Sequence, residues 1–421
     1  MSTAFKPANI LVPNEKNDMS SWSVVACDQY TSEPEYWEDV KEIVGDKVSS
    51  LNMILPEVYL ESDDIDSKIT NIHSTMNEYL SSDVFEEYKD SYIYIERTQS
   101  DGKIRKGLVG MIDLEEYDYS KGSTSSVRAT EATVVERIPP RIKVRRGASL
   151  ELPHIMILID DENKTVVEPV GEDKDSMKKL YDFCLMKNGG NIKGYLVNEN
   201  KKDEIDAALT ALGDSKTFNK KYGLSDAPVL LYAMGDGNHS LATAKAYYEE
   251  LKAQNPEKDM TSHPARYALV EIVNLHSDAL QFEAIHRIVT DVDSEDLLSV
   301  LKEKLALVSE DNGSGQSFTY VRKGEKKTLY VGNKLSNLTV GSLQTVLDEY
   351  IKSKGGKVDY IHGINVLENL AQENNSIGFI LPDMLKSELF PTVIKDGALP
   401  RKTFSMGHAE DKRFYIECRK I

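Results

Sequence analysis

Residues 229–251 read VLLYAMGDGNHSLATAKAYYEEL. An apolar run, Val229 to Met234, ends at Gly235-Asp236-Gly237-Asn238-His239-Ser240, and a second run with helical spacing follows from about residue 239. A buried strand feeding a helix N-terminus gathers several unpaired backbone N–H groups at one point. The helix dipole adds partial positive charge there. Glycine tolerates positive φ and lets an anion approach the backbone closely. Together these make a phosphate site that needs few cations. The side chains add chemistry. Asp236 suits Mg2+ or the proton of an attacking hydroxyl. Asn238 and His239 can donate to phosphate oxygens. Ser240 can cap the helix or touch phosphate or metal. The same residues also suit a plain, well-capped turn. A Gly-x-x-x-x-Gly-Lys phosphate loop is absent, and GDGN is not a dinucleotide fingerprint.

Three further clusters carry usable groups. In RATEATVVERIPPR (128–141), Arg128 can supply a cation to phosphate and Glu131 is a base or metal ligand, with a polar loop as the competing reading. The overlapping run ERIPPRIKVRR (136–146) alternates, which predicts a strand with Arg141, Lys143 and Arg145 on one face and Ile142 and Val144 on the other. No aromatics interleave with these cations, so a nucleic-acid surface is not expected. EAIHRIV (283–289) places His286 and Arg287 on a strand; Arg287 is either a second phosphate partner or half of a structural ion pair. SVVACDQY (23–30) puts Asp28 and Tyr30 just past a strand end, where ligands often bind. His154 opens a strand, while His73, His263 and His276 read as structural or surface residues. MGHAEDKR (406–413) reads as a charged hairpin before a metal loop, and no HExxH or EF-hand spacing occurs.

These groups must be positioned by a mixed set of elements. Strands are expected at 92–96, 106–114, 154–159, 194–198, 229–234, 267–273 and 414–418. Helices are expected at 35–44, 64–80, 174–187, 203–213, 240–254, 294–305, 342–353, 363–372 and 383–389. The fold class is α+β, with residues 1–290 carrying the glycine turn and residues 291–421 forming a smaller α/β unit. The final RFYIECRKI is expected to pack back on the body. The 421 residues are 40% hydrophobic, enough for real cores. A formal net charge of −18 argues against nucleic acid and anionic membranes as partners. Three dispersed cysteines suggest neither disulfides nor a zinc ribbon. The start, MSTAFKPANILVPNEK, lacks the charge and apolar core of a signal peptide, so a cytoplasmic location is expected.

The 229–251 stretch resembles the signature of the family called domain of unknown function 1015, whose usual form is an apolar strand, Asp-Gly-His-His-Arg, and a helix with Thr-Ala. SVVACDQY, GLVGMIDLEEYDY (107–119), RATEATVVERIPPR, EAIHRIV and KVDYIHG (357–363) resemble it in matching order. The family is similar to the ParB/sulfiredoxin superfamily, which sets such a turn on nucleotide phosphates and includes a free serine kinase. The resemblance thus implies a ParB/sulfiredoxin-like core. It also implies a nucleotide (ATP or ADP) with Mg2+, and phosphate contacts from Gly235, Gly237, Asn238, Ser240, Arg128, Thr133 and Arg287. Substrate contacts would come from Asp28 and Tyr30. The family's first His is Asn238 here and its Arg is Ser240, so a direct cation is missing from the turn. No thiol stands there, which argues against sulfinic-acid reduction.

Three functions follow. One is a nucleotide- and Mg-dependent phosphotransferase acting on a small hydroxyl metabolite, with Asp236, His239 and Glu131 as catalytic groups and Asp236 as metal ligand. The second is a nucleotide-binding switch or sensor with slow turnover or none. The third is a metal-dependent hydrolase on Asp236, His239 and Glu131. The partner expected is a small molecule, with a homodimer left open.

Overall fold

The computed structural model describes residues 3–31, 33–132 and 138–421. Its contacts divide the chain into two units. The first holds residues 1–129, 133–280 and 407–421; the second holds 130–132 and 281–406. The last segment therefore belongs with the body, and residues 407–413 go with it rather than with the C-terminal unit.

The first unit is built on a large mixed sheet. Its strands run in the order Lys178–Cys184, Asn191–Leu196, Ile93–Thr98, Ile104–Asp113, Tyr267–Asn274, Met156–Ile159, Tyr232–Asp236, Val127–Arg128 and Tyr117–Asp118, with Phe5–Lys6 added beside Ile104–Asp113. The first five pair antiparallel in succession. Tyr267–Asn274 then runs parallel to Met156–Ile159, which is antiparallel to Tyr232–Asp236. Alternation sorts the side chains onto two faces. Tyr92, Tyr94, Leu108, Ile157, Tyr232 and Met234 enter one core together with Leu241, Ala244 and Tyr248 of the helix Asn238–Gln254. Ile93, Ile95, Val109 and Leu269 enter the other, against Trp37, Val40, Tyr415 and Ile416. Both faces of the central strands are thus dry, and the chain between Val229 and Met234 reads as a continuous apolar run for that reason.

Two expected elements are corrected. Residues 138–145 form a helix, Ile138–Arg145, not a strand. Pro139 and Pro140 stand in its first turn, where no intrahelical N–H is required, and the helix packs on Asn238–Gln254. The basic residues that were to line a strand face are paired: Arg141 with Glu57, Lys143 with Asp66 and Arg145 with Glu151. Within 174–187, residues Lys178–Cys184 are a strand. Lys187, Asn188 and Gly190 take positive φ and turn the chain back onto Asn191–Leu196. The C-terminal 414–418 makes isolated bridges, Phe414 to Val25 and Cys418 to Leu11, before a two-residue strand, Arg419–Lys420.

The second unit has a five-stranded antiparallel sheet in the order Glu325–Tyr330, Ser317–Arg322, Ile377–Ile380, His286–Thr290 and Lys357–Ile361. The helices Ser294–Lys304, Thr339–Lys354, Ile364–Leu370 and Lys386–Asp396 belong to it. Among the described residues, no helix is long and apolar enough to cross a membrane.

Candidate functional site

The glycine turn is built as the spacing suggests, with one addition. The ladder between Tyr232–Asp236 and Met156–Ile159 shifts register between Met234 and Asp236, so Gly235 is the extra residue of a β-bulge. Bulges re-aim the side chains beside them, and here the side chain concerned is Asp236. Gly237 follows at φ +80 and serves as N-cap of the helix Asn238–Gln254. A Cβ on Gly237 would stand 3.1 Å from the Ile155 Cα. No side chain caps this 17-residue helix. The first helical bond runs from Leu241 N–H to Gly237 C=O at 3.0 Å, which leaves the N–H groups of residues 238–240 outside the helical ladder.

Two residues that the spacing did not single out stand beside the turn. Lys412 is 9% exposed, and its ammonium lies 3.1 Å from Asp236 Oδ2. Asp236 Oδ1 accepts the Gly237 N–H at 2.9 Å. His154 is 5% exposed; its Nε2 lies 3.0 Å from Ser240 Oγ and 3.6 Å from Asp28 Oδ2, and its Nδ1 lies 2.7 Å from the Tyr415 hydroxyl. Burial pushes the imidazolium down, but the charge and hydrogen bonding of Asp28 and the charges of Asp236 and Glu57 outweigh it, so its pKa is raised. Burial likewise opposes ionisation of Asp28; His154, Gln29 and Lys412 reverse that and hold its carboxyl below the usual range. The two groups thus favour each other's charged forms. Both ring nitrogens have a hydroxyl partner, Ser240 on one side and Tyr415 on the other. Beside Asp28, burial and the charges of Asp28 and Glu57 push the Cys27 thiol up, which leaves it inert.

Lys412 arrives on a chain segment anchored by buried charges. The Arg97 guanidinium is fully buried and donates to the Glu410 carbonyl at 2.8 Å; Arg105 donates to the Asp411 carbonyl at 3.0 Å. The Asp411 carboxylate accepts the Ser100 N–H and hydroxyl at 2.8 and 2.7 Å. Arg413 is held by Glu271 and Glu417 at 2.9 and 2.8 Å. With Trp22 Nε1 on the Ile416 carbonyl at 3.0 Å, these bonds fix the backbone on both sides of Lys412.

The other expected site residues divide. Asn238 opens the helix, with its Oδ1 buried and unpartnered. His239 is half-buried, and its carbonyl accepts from Thr243 Oγ1 at 2.7 Å. Tyr30 has φ +52 and stacks on Tyr36 with ring centroids 3.6 Å apart. Arg128 is buried and donates to the Ser125, Pro228 and Val229 carbonyls, so it fastens the loop leading into the site strand. Glu131 and Arg287 lie in the second unit. There the Glu131 carboxyl is pushed up by burial and accepts the Lys402 and Thr403 N–H groups. Arg287 is fully buried and spends its donors on Gln344 and the Ile285, Arg401 and Lys402 carbonyls; burial lowers its pKa to about 10. Thr133 lies outside the described residues.

A cavity of about 160 Å³ opens beside the turn. Cys27, His154, Ser240 and Tyr415 stand at it, and Met53, Leu55, Leu60, Met76, Leu150 and Leu152 are among its apolar lining. Among the described residues Asp160, Glu162 and His276, away from the turn's own side chains, form the one group of three metal-ligating side chains, with ligand atoms within 4.8 Å of one another. Lys221 already reaches into it, 2.9 Å from Asp160 and 3.6 Å from Glu162. His276 bonds Asp160 at 2.6 Å, a role its isolated position in sequence did not reveal.

The family model described as "Protein of unknown function (DUF1015)" matches residues 5–350. A search of curated proteins returned no match. Among solved structures, a conserved hypothetical protein from Pyrococcus furiosus matches with a TM-score of 0.36 at 11% identity, over 74% of this chain and 94% of that one. A free serine kinase variant in complex with AMP matches with a TM-score of 0.39 at 13% identity, over 75% and 92%. SbnI with a C-terminal truncation, from Staphylococcus aureus, matches with a TM-score of 0.37 at 10% identity, over 71% and 82%.

Proposed function

The chain belongs to the DUF1015 family, whose description assigns no reaction, and from the site itself we propose a nucleotide- and Mg-dependent phosphotransferase acting on a small hydroxyl metabolite. One observation carries the reading. A buried ammonium, Lys412, stands beside the carboxylate of Asp236, just ahead of a 17-residue helix whose glycine N-cap offers no side chain. That combination fits a phosphate, which takes N–H donors and a point charge.

The helix N–H groups and Lys412 hold the nucleotide phosphates. Asp236 is 21% exposed, carries hard oxygen donors, and fits Mg2+, which commonly needs only one or two carboxylates besides the phosphates themselves. The metal would neutralise charge on the phosphates. Asp28, kept ionised by His154 and Lys412, orients the acceptor hydroxyl and takes its proton. His154 holds Asp28 and Ser240 in place and is a positioning residue. Phosphoryl transfer asks chiefly for such positioning and charge neutralisation. A ParB/sulfiredoxin-like core remains part of this proposal, resting on the strand, glycine turn and helix.

Phosphorus NMR tests it. The protein is held with Mg2+ and ATP, ADP or CTP, with and without hydroxyl metabolites. Serine, the acceptor the sequence resemblance implies, goes first, and Asp236→Asn is the control. A phosphomonoester signal that needs nucleotide, acceptor and Asp236 is the expected result. Nucleotide that binds and stays intact would move the protein to the sensor class. Absence of binding would reduce the turn to a structural one.

A further inference from the structure

The cavity beside the turn has an unusual distribution of polarity. One end carries Ser240, His154 and the Tyr415 hydroxyl, which belong to the proposed transfer site. The rest of its wall is mostly methionine and aliphatic side chains, with Thr243 and the charged Glu57, Arg141, Arg145 and Glu151 among them. The charges that do reach the wall are already neutralised. Arg141 pairs with Glu57, with Nε at 2.9 Å from Oε1. Glu151 is held between Arg145 and Arg419 at 2.5 and 2.7 Å. A zwitterion such as serine, placed there, would lose the hydration of two charged groups and find paired charges in return, a poor exchange. An apolar body loses nothing on entering.

We propose that this cavity is the acceptor subsite, and that the acceptor is an alcohol whose uncharged, apolar body is about the size of a benzene ring. The assignment rests on the phosphotransferase reading and names its substrate class. Size supports it: an apolar cavity of about 150 Å³ stays dry and accepts benzene, and this one measures about 160 Å³. Geometry supports it too. A body seated among Met53, Leu60 and Leu152 can turn its hydroxyl toward the polar groups His154 and Ser240, with Asp28 3.6 Å from His154. In the transfer, the acceptor oxygen forms a bond to the γ-phosphorus of ATP. The bond from that phosphorus to the β–γ bridging oxygen breaks, and its electron pair leaves with ADP. The hydroxyl proton passes to Asp28.

The test uses the full-length protein and the straight-chain alcohols from 1-propanol to 1-hexanol, with benzyl alcohol and serine alongside. Dissociation constants are measured by ligand-observed NMR, and that for ATP with Mg2+ by calorimetry. Each added methylene should tighten binding about fourfold until the cavity is full. Ala148 lines the cavity and belongs to neither the turn nor the His154–Asp28 pair. Ala148→Phe should flatten the series and weaken benzyl alcohol at least tenfold while the ATP constant stays within twofold. Leu60→Ala, a second variant should the first fail to fold, should extend the series to longer alcohols. With Mg-ATP, phosphorus NMR should show benzyl phosphate forming faster than phosphoserine.

A flat series, or benzyl alcohol binding that ignores Ala148→Phe, overturns the cavity assignment while intact ATP binding leaves the phosphate site standing. A series that behaves as expected without any ATP binding overturns the acceptor role, and with it the phosphotransferase reading. Faster phosphorylation of serine than of every apolar alcohol overturns the substrate class alone.

Discussion

Lys412→Met removes one charge from the site and little else. The ammonium lies 3.1 Å from Asp236, with 11% of the Lys412 side chain exposed, so it is desolvated enough for its bond to phosphate to count. A hydrogen bond to a charged group contributes about 1.5–3 kcal/mol. The expected loss of ATP affinity is therefore roughly 10- to 150-fold. The methylene stem keeps its packing, because methionine has nearly the same length. The backbone stays where it is, because Arg97, Arg105 and the Asp411–Ser100 bonds hold the neighbouring carbonyls and N–H groups. Asp236 loses its ammonium but keeps the Gly237 N–H, and it is partly solvated. The melting temperature should thus fall by only a few degrees. Calorimetric titration of wild type, Lys412→Met and Lys412→Arg with Mg-ATP measures the effect, and Lys412→Arg should recover most of it. Should Lys412→Met bind ATP within twofold of wild type, the ammonium does not meet the phosphates and the carrying observation fails.

Asp28→Asn should lower the His154 pKa, because the opposite charge that holds it up is removed; proton NMR of the ring, assigned with His154→Gln, reads it. The same pair sets a pH window. Asp28 is depressed, so its contribution is present above the unfolded value near 3.9 and is lost as pH falls through the folded value. His154 is raised, so its contribution is complete below about 6.5 and is lost as pH rises through the folded value. The stability gap between wild type and Asp28→Asn should be widest between about pH 4 and 6.5, measured as denaturant midpoints across pH. Glu271→Gln leaves Arg105 buried with a neutral partner and Arg413 with Glu417 alone, and should cost about 3–5 kcal/mol of stability; a loss below 1 kcal/mol in urea unfolding would contradict the buried-charge anchor. Gly237→Ala should cost about 1–2 kcal/mol from its left-handed φ alone, before the close approach to Ile155 is counted, and a neutral result would mean the turn relaxes to another conformation.

What could be read from sequence was what local pattern determines. The strand, glycine turn and helix at 229–254 form one contiguous device, and each part has its own signature in spacing and residue type. The helix at 138–145 was misread because alternating basic and apolar residues mimic a strand, while the two prolines that suit a helix start also suit an edge strand. The strand at 178–184 was misread because its signal is the turn after it, set by the backbone of Lys187, Asn188 and Gly190. Lys412 and His154 were missed for a different reason. Each is an ordinary residue in its own neighbourhood and gains meaning only from a sheet that brings segments around 28, 154, 236 and 412 together. For Arg128 and Arg287, residue type suggested phosphate, whereas burial against backbone carbonyls gives both a bonding role of their own. Nothing in a linear pattern distinguishes a cation facing a ligand from one facing the main chain.

The return of residues 407–421 to the first unit bears on the order in which that unit is completed. A ribosome emits Arg97, Arg105, Asp236 and Glu271 early, but Lys412 and Arg413 only after the whole of residues 281–406. At about 5–20 residues per second that interval is on the order of ten seconds. Throughout it the nascent sheet carries Glu271 and two arginines without the segment that completes their pairing, and the glycine turn lacks its ammonium. The buried ion pairs of the first unit are thereby completed only after a whole second unit has been made.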